Sequence, residues 1–185
     1  MPESDTHPTA GTAGTAQHAG VDPDVFRSAL GSFATGVSVM TTEVDGEPHG
    51  MTANAVSSVS LEPPLVLVCV DRDALMADLV RRSEVFALSF LAADQESLSW
   101  HFADPDRPLG LAGFEGVATR TAVTGSRVLE HAVGSVDCEV AQVVDAGDHI
   151  VVIGRVVAAH ADDAVAPLVY FRGAYPGLVA ERPQG

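Results

Sequence analysis

Most of the chain alternates apolar and polar positions over short stretches, the pattern of strands that bury one face. The pattern predicts strands at residues 37–42, 51–60, 65–70, 85–91, 114–121, 135–144, 148–159 and 168–172. Asp45 and Gly46 form a strong turn signal between two of these strands, and the run from Asp145 to Gly147 forms another. Both pairs of neighbouring strands are therefore expected to form hairpins.

Three segments carry apolar residues at helical spacing instead. The first begins well, because Asp22 is an N-cap candidate and Pro23 suits the first helical position. Its apolar residues share one face: Val25, Phe26, Ala29, Leu30 and Phe33. Further helices are predicted at 74–82 and at 95–102, the latter capped by Asp94.

Many short strands with few helices, connected mainly by hairpins, indicate a mainly β protein. The expected architecture is a closed or nearly closed antiparallel barrel with a few short peripheral helices. The 185 residues suit one domain, placed at 22–178. Residues 1–21 lack the basic start and apolar core of a signal peptide, so they are expected to be a disordered tail, and 179–185 a second one.

Charge and composition narrow the possible partners. The formal net charge is −15, from 10 Lys+Arg against 25 Asp+Glu, so nucleic acid is not an expected partner. The histidines show no metal-ligand spacing, and no apolar run approaches the ~20 residues that span a bilayer, so neither a metal nor a membrane is expected. Cys69 and Cys138 lie in apolar runs without C-x-x-C spacing, which predicts free thiols in the cytoplasm.

The stretch from Gly50 to Arg72 is the best candidate for a binding site. Residues 51–60 carry small and hydroxyl side chains, which pack a core poorly but allow the backbone to approach a flat polar ligand. Pro63 and Pro64 force a turn, and the apolar run 65–70 then has the length of a buried strand. Polar residues follow at once from Asp71 onward, so polar groups are expected at the mouth of a buried strand.

Four motifs in one order carry a family resemblance. They read F-R-S-A-L-G-S-F-A-T-G-V from Phe26, G-M-T-A-N-x-x-x-S-V-S-L-x-P-P-L-V-L-V-C-V-D-R from Gly50, G-D-H-I-V-V-I-G from Gly147 and P-L-V-Y-F-R-G-A-Y from Pro167. Together they resemble the short-chain flavin reductases, the NAD(P)H-dependent partners of two-component flavin monooxygenases. The resemblance implies an FMN-binding split barrel of Greek-key type, in which two chains of a homodimer share two sites.

The resemblance also implies a cofactor set and a reaction. FMN or FAD would accept a hydride on N5 from NADH or NADPH, and the reduced flavin would pass to a partner flavin-dependent monooxygenase. The chain has no G-x-G-x-x-G after a strand, so phosphates must be held by turn amides, hydroxyls and arginine rather than by a Rossmann domain. Two alternatives remain: a flavin-dependent oxidase of a small substrate on the same barrel, and a flavin-binding module without activity.

Site residues follow from the resemblance, position by position. Flavin is expected to contact Gly50, Met51, Thr52, Asn54, Ala55, Val56, Ser57, Ser58, Cys69, Val70, Asp71, Arg72 and Asp73. The nicotinamide dinucleotide is expected to contact His149, Tyr170, Phe171, Arg172 and Gly173, with His149 in the catalytic role. Tyr170 and Arg172 are the residues of the last strand expected to point at the ligand, because only alternate strand residues share a face.

The residues alone leave these assignments open. Strand hydroxyls can simply meet solvent, Arg72 could pair with a neighbouring aspartate on the surface, and a histidine after a hairpin is unremarkable. The family commonly has serine and an aromatic residue where this chain has Ala55 and Val56. His49 could reach the ring edge or point to water, Trp100 is expected to pack, and the loop at 104–113, which contains Arg107, receives no role.

Overall fold

The computed structural model describes residues 20–178. The helices are α1 (Pro23–Gly31), α2 (Leu75–Ser83) and α3 (Glu96–Ala103), with a 3₁₀ turn at Gly110–Phe114. The strands are β1 (Thr35–Gly36), β2 (Ser38–Val44), β3 (Glu47–Ala53), β4 (Val56–Leu61), β5 (Pro64–Asp71), β6 (Val85–Phe90), β7 (Thr119–Thr121), β8 (Arg127–Leu129), β9 (Gly134–Ala146), β10 (His149–Ala161) and β11 (Val169–Tyr170). The mainly β prediction is confirmed. The predicted tails lie outside the described residues, apart from their overlap at residues 20 and 21.

Seven strands form one antiparallel sheet in the order β3-β2-β6-β9-β10-β5-β4. Its two edge strands, β3 and β4, are consecutive in the chain and are separated only by Asn54 and Ala55. The sheet must therefore curl until its edges meet, yet β3 and β4 do not pair with each other. A backbone hydrogen bond from the Cys69 amide to the Ala55 carbonyl, 3.0 Å long, holds the link against β5. The result is a split barrel with an open seam at this link.

Alternation along the strands fills the inside of the barrel. Val68 and Val70 of β5 and Ile150 and Val152 of β10 are fully or almost fully buried, whereas the residues between them are half-exposed. Helix α2 closes the core, because its buried Met76, Ala77 and Val80 belong to the same apolar cluster. A second cluster lies under α3 and includes Val37, Val39, Leu91, Phe102 and Phe114.

Local sequence explains where most elements begin and end. The Asp22 carboxylate accepts hydrogen bonds from the Asp24 and Val25 amides, so it caps α1 as predicted. Asp45 and Gly46 both have positive φ in the tight turn between β2 and β3, a conformation that favours Gly and Asp.

Four boundaries were predicted wrongly. The expected strand 51–60 is two strands, because the chain leaves one sheet edge at Ala53 and joins the other at Val56. The strand at 114–121 is limited to Thr119–Thr121, since the 3₁₀ turn occupies its start. The last strand ends at Tyr170 rather than at 172. Gln95, and not Asp94, is the N-cap of α3, and its side chain accepts from the Ala92 amide.

Within the described residues, no helix combines the length and the apolar character required to cross a membrane.

Replacing Gly154 by alanine is expected to lower the free energy of unfolding by about 1–3 kcal/mol, the usual cost of overpacking. A Cβ on Gly154 would clash with the Phe86 ring and would lie 2.9 Å from Cys138 Cβ. Gly31→Ala is the control, because a Cβ there would meet nothing within 4 Å beyond its chain neighbours and its own helix. Urea denaturation of both variants checks the prediction, and equal stability of Gly154→Ala and wild type would contradict it.

Candidate functional site

A cleft of about 750 Å³ opens at the seam of the barrel, between the sheet and α1. It lies where the Asn54–Ala55 link, the start of β4, the end of β5 and the start of β10 meet. Its lining residues are Phe26, Arg27, Leu30, Gly31, Phe33, Thr35, Asn54, Ala55, Val56, Ser57, Leu67, Cys69, His149 and Tyr170. Seven of the predicted site residues are thus brought together: Asn54, Ala55, Val56, Ser57, Cys69, His149 and Tyr170.

Strand register explains why these side chains share one wall. Cys69 pairs with Val151, and Asp71 pairs with His149, so Cys69 and His149 lie on the same outer face two residues apart in register. Val70 pairs with Ile150 on the opposite face, inside the core. The Val70 side chain is 1% exposed, so the predicted contact of Val70 with flavin could be made only by its backbone.

The wall beside His149 is built from small residues. Ala55 lies in the link between β3 and β4 and Ser57 at the start of β4, and the Ala55 carbonyl accepts a hydrogen bond from the Cys69 amide. Ser57 donates its hydroxyl hydrogen bond to the Ser58 carbonyl, 3.1 Å away. Small side chains on an open seam leave a slot in which a flat ligand can approach the strand backbone.

His149 lies at the mouth of the cleft and is held by its neighbour. Its Nδ1 lies 2.8 Å from Oδ1 of Asp148. The hydrogen bond from the His149 ring keeps the pKa of the exposed Asp148 carboxyl below its ordinary value. A charged Asp148 favours the tautomer with the proton on Nδ1, which leaves Nε2 for a ligand. The Asp148 carbonyl also accepts from the Arg72 amide at 3.0 Å, which ties the start of β10 to the end of β5.

The predicted phosphate turn lies next to His149 but outside the cleft wall. Asp71 uses its carboxylate to accept the Asp73 amide at 2.8 Å, which shapes the turn. Arg72 is half-exposed, and its guanidinium lies 3.9 Å from the Asp145 carboxylate rather than beside Asp71 or Asp73. Asp145 also binds Arg81 at 3.1 Å, so the charge on Arg72 is only partly engaged. Phosphate binding by this turn stays a prediction.

The first residues of the central motif have other partners. Gly50 is buried, and Arg107 donates to its carbonyl at 2.6 Å, so Gly50 is a packing position rather than part of the cleft. Met51 packs against the main core. Thr52 donates its hydroxyl to the Ser99 carbonyl at 2.7 Å and lies outside the cleft. Ser58 is exposed, but it alternates with Ser57 and is not part of the cleft wall.

The last predicted motif is only partly brought to the site. Tyr170 lines the cleft, but the chain turns directly after it, and Arg172 adopts φ 49°. The Arg172 amide donates to the Gly31 carbonyl at 3.0 Å, and its Nε donates to Ser32 Oγ at 3.3 Å. Its guanidinium lies 5.0 Å from the centroid of the Phe171 ring. The expectation that Arg172 shares a strand face with Tyr170 is wrong, and Gly173 is part of the same turn.

Sequence reasoning also missed residues that the structure places at or near the site. Phe26 and Leu30 line the cleft from α1, and their spacing on one helix face was the available signal. Arg107, in the loop without an assigned role, is buried; it donates to Gly50 and to the His101 carbonyl at 3.3 Å. Burial and, second, the charge of Arg107 lower the pKa of His49 to about 4, so His49 is a neutral structural group.

Fold and cleft together define a class of protein. The chain forms an antiparallel split barrel whose open seam is lined by small residues and His149. Within residues 20–178 no strand is followed by a Rossmann phosphate loop. This is the arrangement of a split-barrel flavin-binding protein. The sequence profile of the flavin reductase like domain matches residues 30–178, and the chain belongs to that family. The family recognition made from the four motifs is confirmed.

Individual relatives agree with the family assignment. The chain is 44% identical over 160 residues to flavin reductase (NADH) of Kitasatospora aureofaciens, covering 84% of this chain and 81% of the relative. It is 35% identical over 164 residues to the reductase subunit HsaB of a flavin-dependent monooxygenase of Rhodococcus jostii, covering 88% and 81% of the two chains. Among solved structures, NADH:FAD oxidoreductase SgcE6 of Streptomyces globisporus has a TM-score of 0.81 at 36% identity, covering 89% of this chain and 100% of that one.

Iodoacetamide is expected to label Cys69 in the native protein and to spare Cys138. Cys69 lines the cleft, whereas Cys138 is buried and its pKa is raised to about 12, first by burial and then by Asp137, so its thiol stays protonated. Saturating FMN should slow the labelling of Cys69 at least several-fold. Mass spectrometry with Cys69→Ser as control checks both points, and labelling that is unaffected by flavin would place the ligand elsewhere.

Proposed function

We propose that this chain is an NAD(P)H:flavin oxidoreductase that reduces FMN or FAD in the seam cleft and releases the reduced flavin to a separate monooxygenase. The observation that carries the proposal is the cleft itself: its volume of about 750 Å³ lies within the ~300–1,000 Å³ of small-molecule sites, and a small-residue wall faces it beside His149. NADH is the favoured donor, because relatives are named flavin reductase (NADH) and NADH-dependent FAD reductase.

The described residues fit a flavin with a nicotinamide beside it. The two cofactors supply the chemistry, the passage of a hydride and its two electrons from the reduced nicotinamide to flavin N5. The protein has to bring the two rings into contact, satisfy their polar edges and exclude water. Ala55 and Ser57 leave room at the seam, Asn54 brings an amide to it, and Leu67 with the apolar side of α1 lines the rest.

His149 is the residue with a direct role in the reaction. Its position at the start of β10 places the ring beside the outer face on which Cys69 lies. With the Nδ1 proton held by Asp148, the lone pair on Nε2 is oriented to accept a hydrogen bond from the dinucleotide and so to position it. Tyr170 adds an aromatic ring to the lining of the same cleft.

Weak retention of the flavin is consistent with its use as a substrate. The turn at Arg72 offers one guanidinium that is partly engaged by Asp145, and two further acidic residues, Asp71 and Asp73, flank Arg72 in the chain. These carboxylates repel a bound phosphate, so the flavin is easily released, as a carrier of reduced flavin requires. Relatives that are reductase components, HsaB of a flavin-dependent monooxygenase and BorF of a two-component tryptophan halogenase, support a partner oxygenase for this chain. Two free thiols, Cys69 and Cys138, support a reducing, cytoplasmic location.

A homodimer would complete the site. The outer face of the sheet carries half-exposed apolar residues that adjoin in register, where Ile153 pairs with Leu67 and Val151 pairs with Val144. Helix α1 buries none of its residues, although Val25 and Leu30 give it an apolar side. Apolar faces of this extent on soluble proteins are usually covered. A second copy seated on the sheet face would cover it and border the cleft, which ends on the same face.

The Ile153→Glu variant is expected to be a monomer at micromolar concentration, since it places a charge in the centre of the proposed interface. Wild type and Val123→Glu, a change at an exposed position outside that face, are expected to be dimers. Sedimentation equilibrium distinguishes these states. A monomeric wild type, or a dimer that tolerates Ile153→Glu, would contradict the interface.

Anaerobic mixing of the protein with oxidised flavin and NADH is expected to bleach the flavin absorbance catalytically. His149→Ala should slow the reduction or raise the KM for NADH by about 10-fold or more, with little loss of flavin affinity. His160→Ala is the matched control, an exposed histidine at the far end of the same strand. No bleaching by wild type with either NADH or NADPH would overturn the proposed function, and equal turnover of His149→Ala would refute the role of His149.

A further inference from the structure

A second, smaller pocket adjoins the cleft. Its volume is about 230 Å³, and its walls are Val37, Thr52, Asn54, Trp100, Ala103, Tyr170 and Tyr175. Asn54 and Tyr170 belong to both the pocket and the cleft, so the two spaces are neighbours across these side chains. The pocket thus lies within reach of a ligand that occupies the cleft, with only the side chains of Asn54 and Tyr170 between the two spaces.

Trp100 is the unusual residue of this pocket. The sequence predicts a packing role, yet the side chain is 56% exposed and belongs to neither apolar core cluster. Its Nε1 donates to the Glu96 carboxylate at 3.1 Å, and its ring lies edge-on to Tyr175 with centroids 5.5 Å apart. The indole is thus fixed in place while much of its surface stays open.

The aromatic neighbours of Trp100 are fixed as well. The Tyr175 hydroxyl lies 2.7 Å from Ser99 Oγ, and Tyr175 and Tyr170 have ring centroids 5.5 Å apart. Thr52 uses its hydroxyl to bind the Ser99 carbonyl, so it presents its methyl group rather than a free donor. The pocket is therefore a preformed set of aromatic and apolar walls with one side-chain amide, that of Asn54, which also lines the cleft.

We propose that this pocket binds the adenosine moiety of a dinucleotide cofactor, an inference that rests on the proposed function. A purine is planar, stacks on aromatic side chains without needing a defined set of hydrogen bonds, and can use one amide at its edge. The volume of the pocket is below that of whole-ligand sites, as expected for the terminal part of a ligand whose reactive ring occupies the cleft. FAD and NADH both carry adenosine, whereas FMN and reduced nicotinamide mononucleotide do not.

The Trp100→Ala variant distinguishes whether the pocket binds the adenosine of FAD or that of NADH. Dissociation constants of FAD and FMN are measured by calorimetry, and the KM values of NADH and reduced nicotinamide mononucleotide are measured with FMN as acceptor. Loss of one base–aromatic stack is expected to weaken the adenosine-bearing ligand by about 5- to 150-fold. A change for FAD alone assigns the pocket to the flavin, a change for NADH alone assigns it to the donor, and a change for both means that it serves each in turn. FMN and the mononucleotide should stay within about twofold of wild type.

Two controls keep the test specific. Trp100→Phe retains an aromatic plane and should restore most of the lost affinity. Leu109→Ala removes an exposed apolar side chain that lines neither the cleft nor this pocket and should leave all four ligands unchanged. Trp100 is the single tryptophan of the chain, so its fluorescence reports directly on the pocket, and AMP is expected to quench it.

The proposal is overturned if Trp100→Ala leaves FAD and NADH within twofold of wild type, or if it weakens FMN and the mononucleotide as much as their adenosine-bearing counterparts. A selective loss without quenching of wild-type fluorescence by AMP would also overturn it, because the effect would then be indirect. The dissociation constants of FAD and FMN and the quenching by AMP are measured without turnover. A protein that binds FAD through Trp100 but does not oxidise NADH would refute the reductase function and leave the adenosine pocket standing.

Discussion

The structure depends on one constraint of chain length. The two edges of a seven-stranded sheet are joined by two residues, Asn54 and Ala55, so the sheet must curl into a barrel, and yet its edge strands do not pair. Unpaired edges are usually a liability for a β protein, and here they are placed where a ligand can use them. The amide of Cys69 holds the link, and the cleft opens beside that hydrogen bond.

Because side chains alternate along each strand, one face of the sheet forms the core and the other carries the site. Val68, Val70, Ile150 and Val152 face inward and fill the core, which fixes β5 against β10. The residues that alternate with them face outward, and these include Cys69 and His149. A tightly packed interior thus holds the outer face rigid, and the rigid face positions the groups of the site.

The sequence predicted the element types well, because alternation, the Asp45-Gly46 turn and the Asp22 cap are local signals. The prediction failed where the chain crosses from one edge of the sheet to the other. Residues 51–60 have the local pattern of one strand, but they belong to two strands at opposite edges. The motif positions Asn54, Cys69 and His149 came together in the cleft, but the motif could not show that Gly50 is held by Arg107 or that Arg172 turns away after Tyr170. Those facts depend on partners distant in the chain, which no spacing rule encodes.

Helix α1 forms one wall of the cleft, and the hydrogen bonds that tie it to the rest of the described chain lie at its C-terminal end, from Arg172 to Gly31 and Ser32. None of the nine residues of α1 is buried, so this wall of the cleft adds little to the apolar core that holds the strands together. The shape of the cleft on this side and the stability of the barrel consequently depend on different residues, and substitutions on the apolar side of α1 can change the first with little effect on the second.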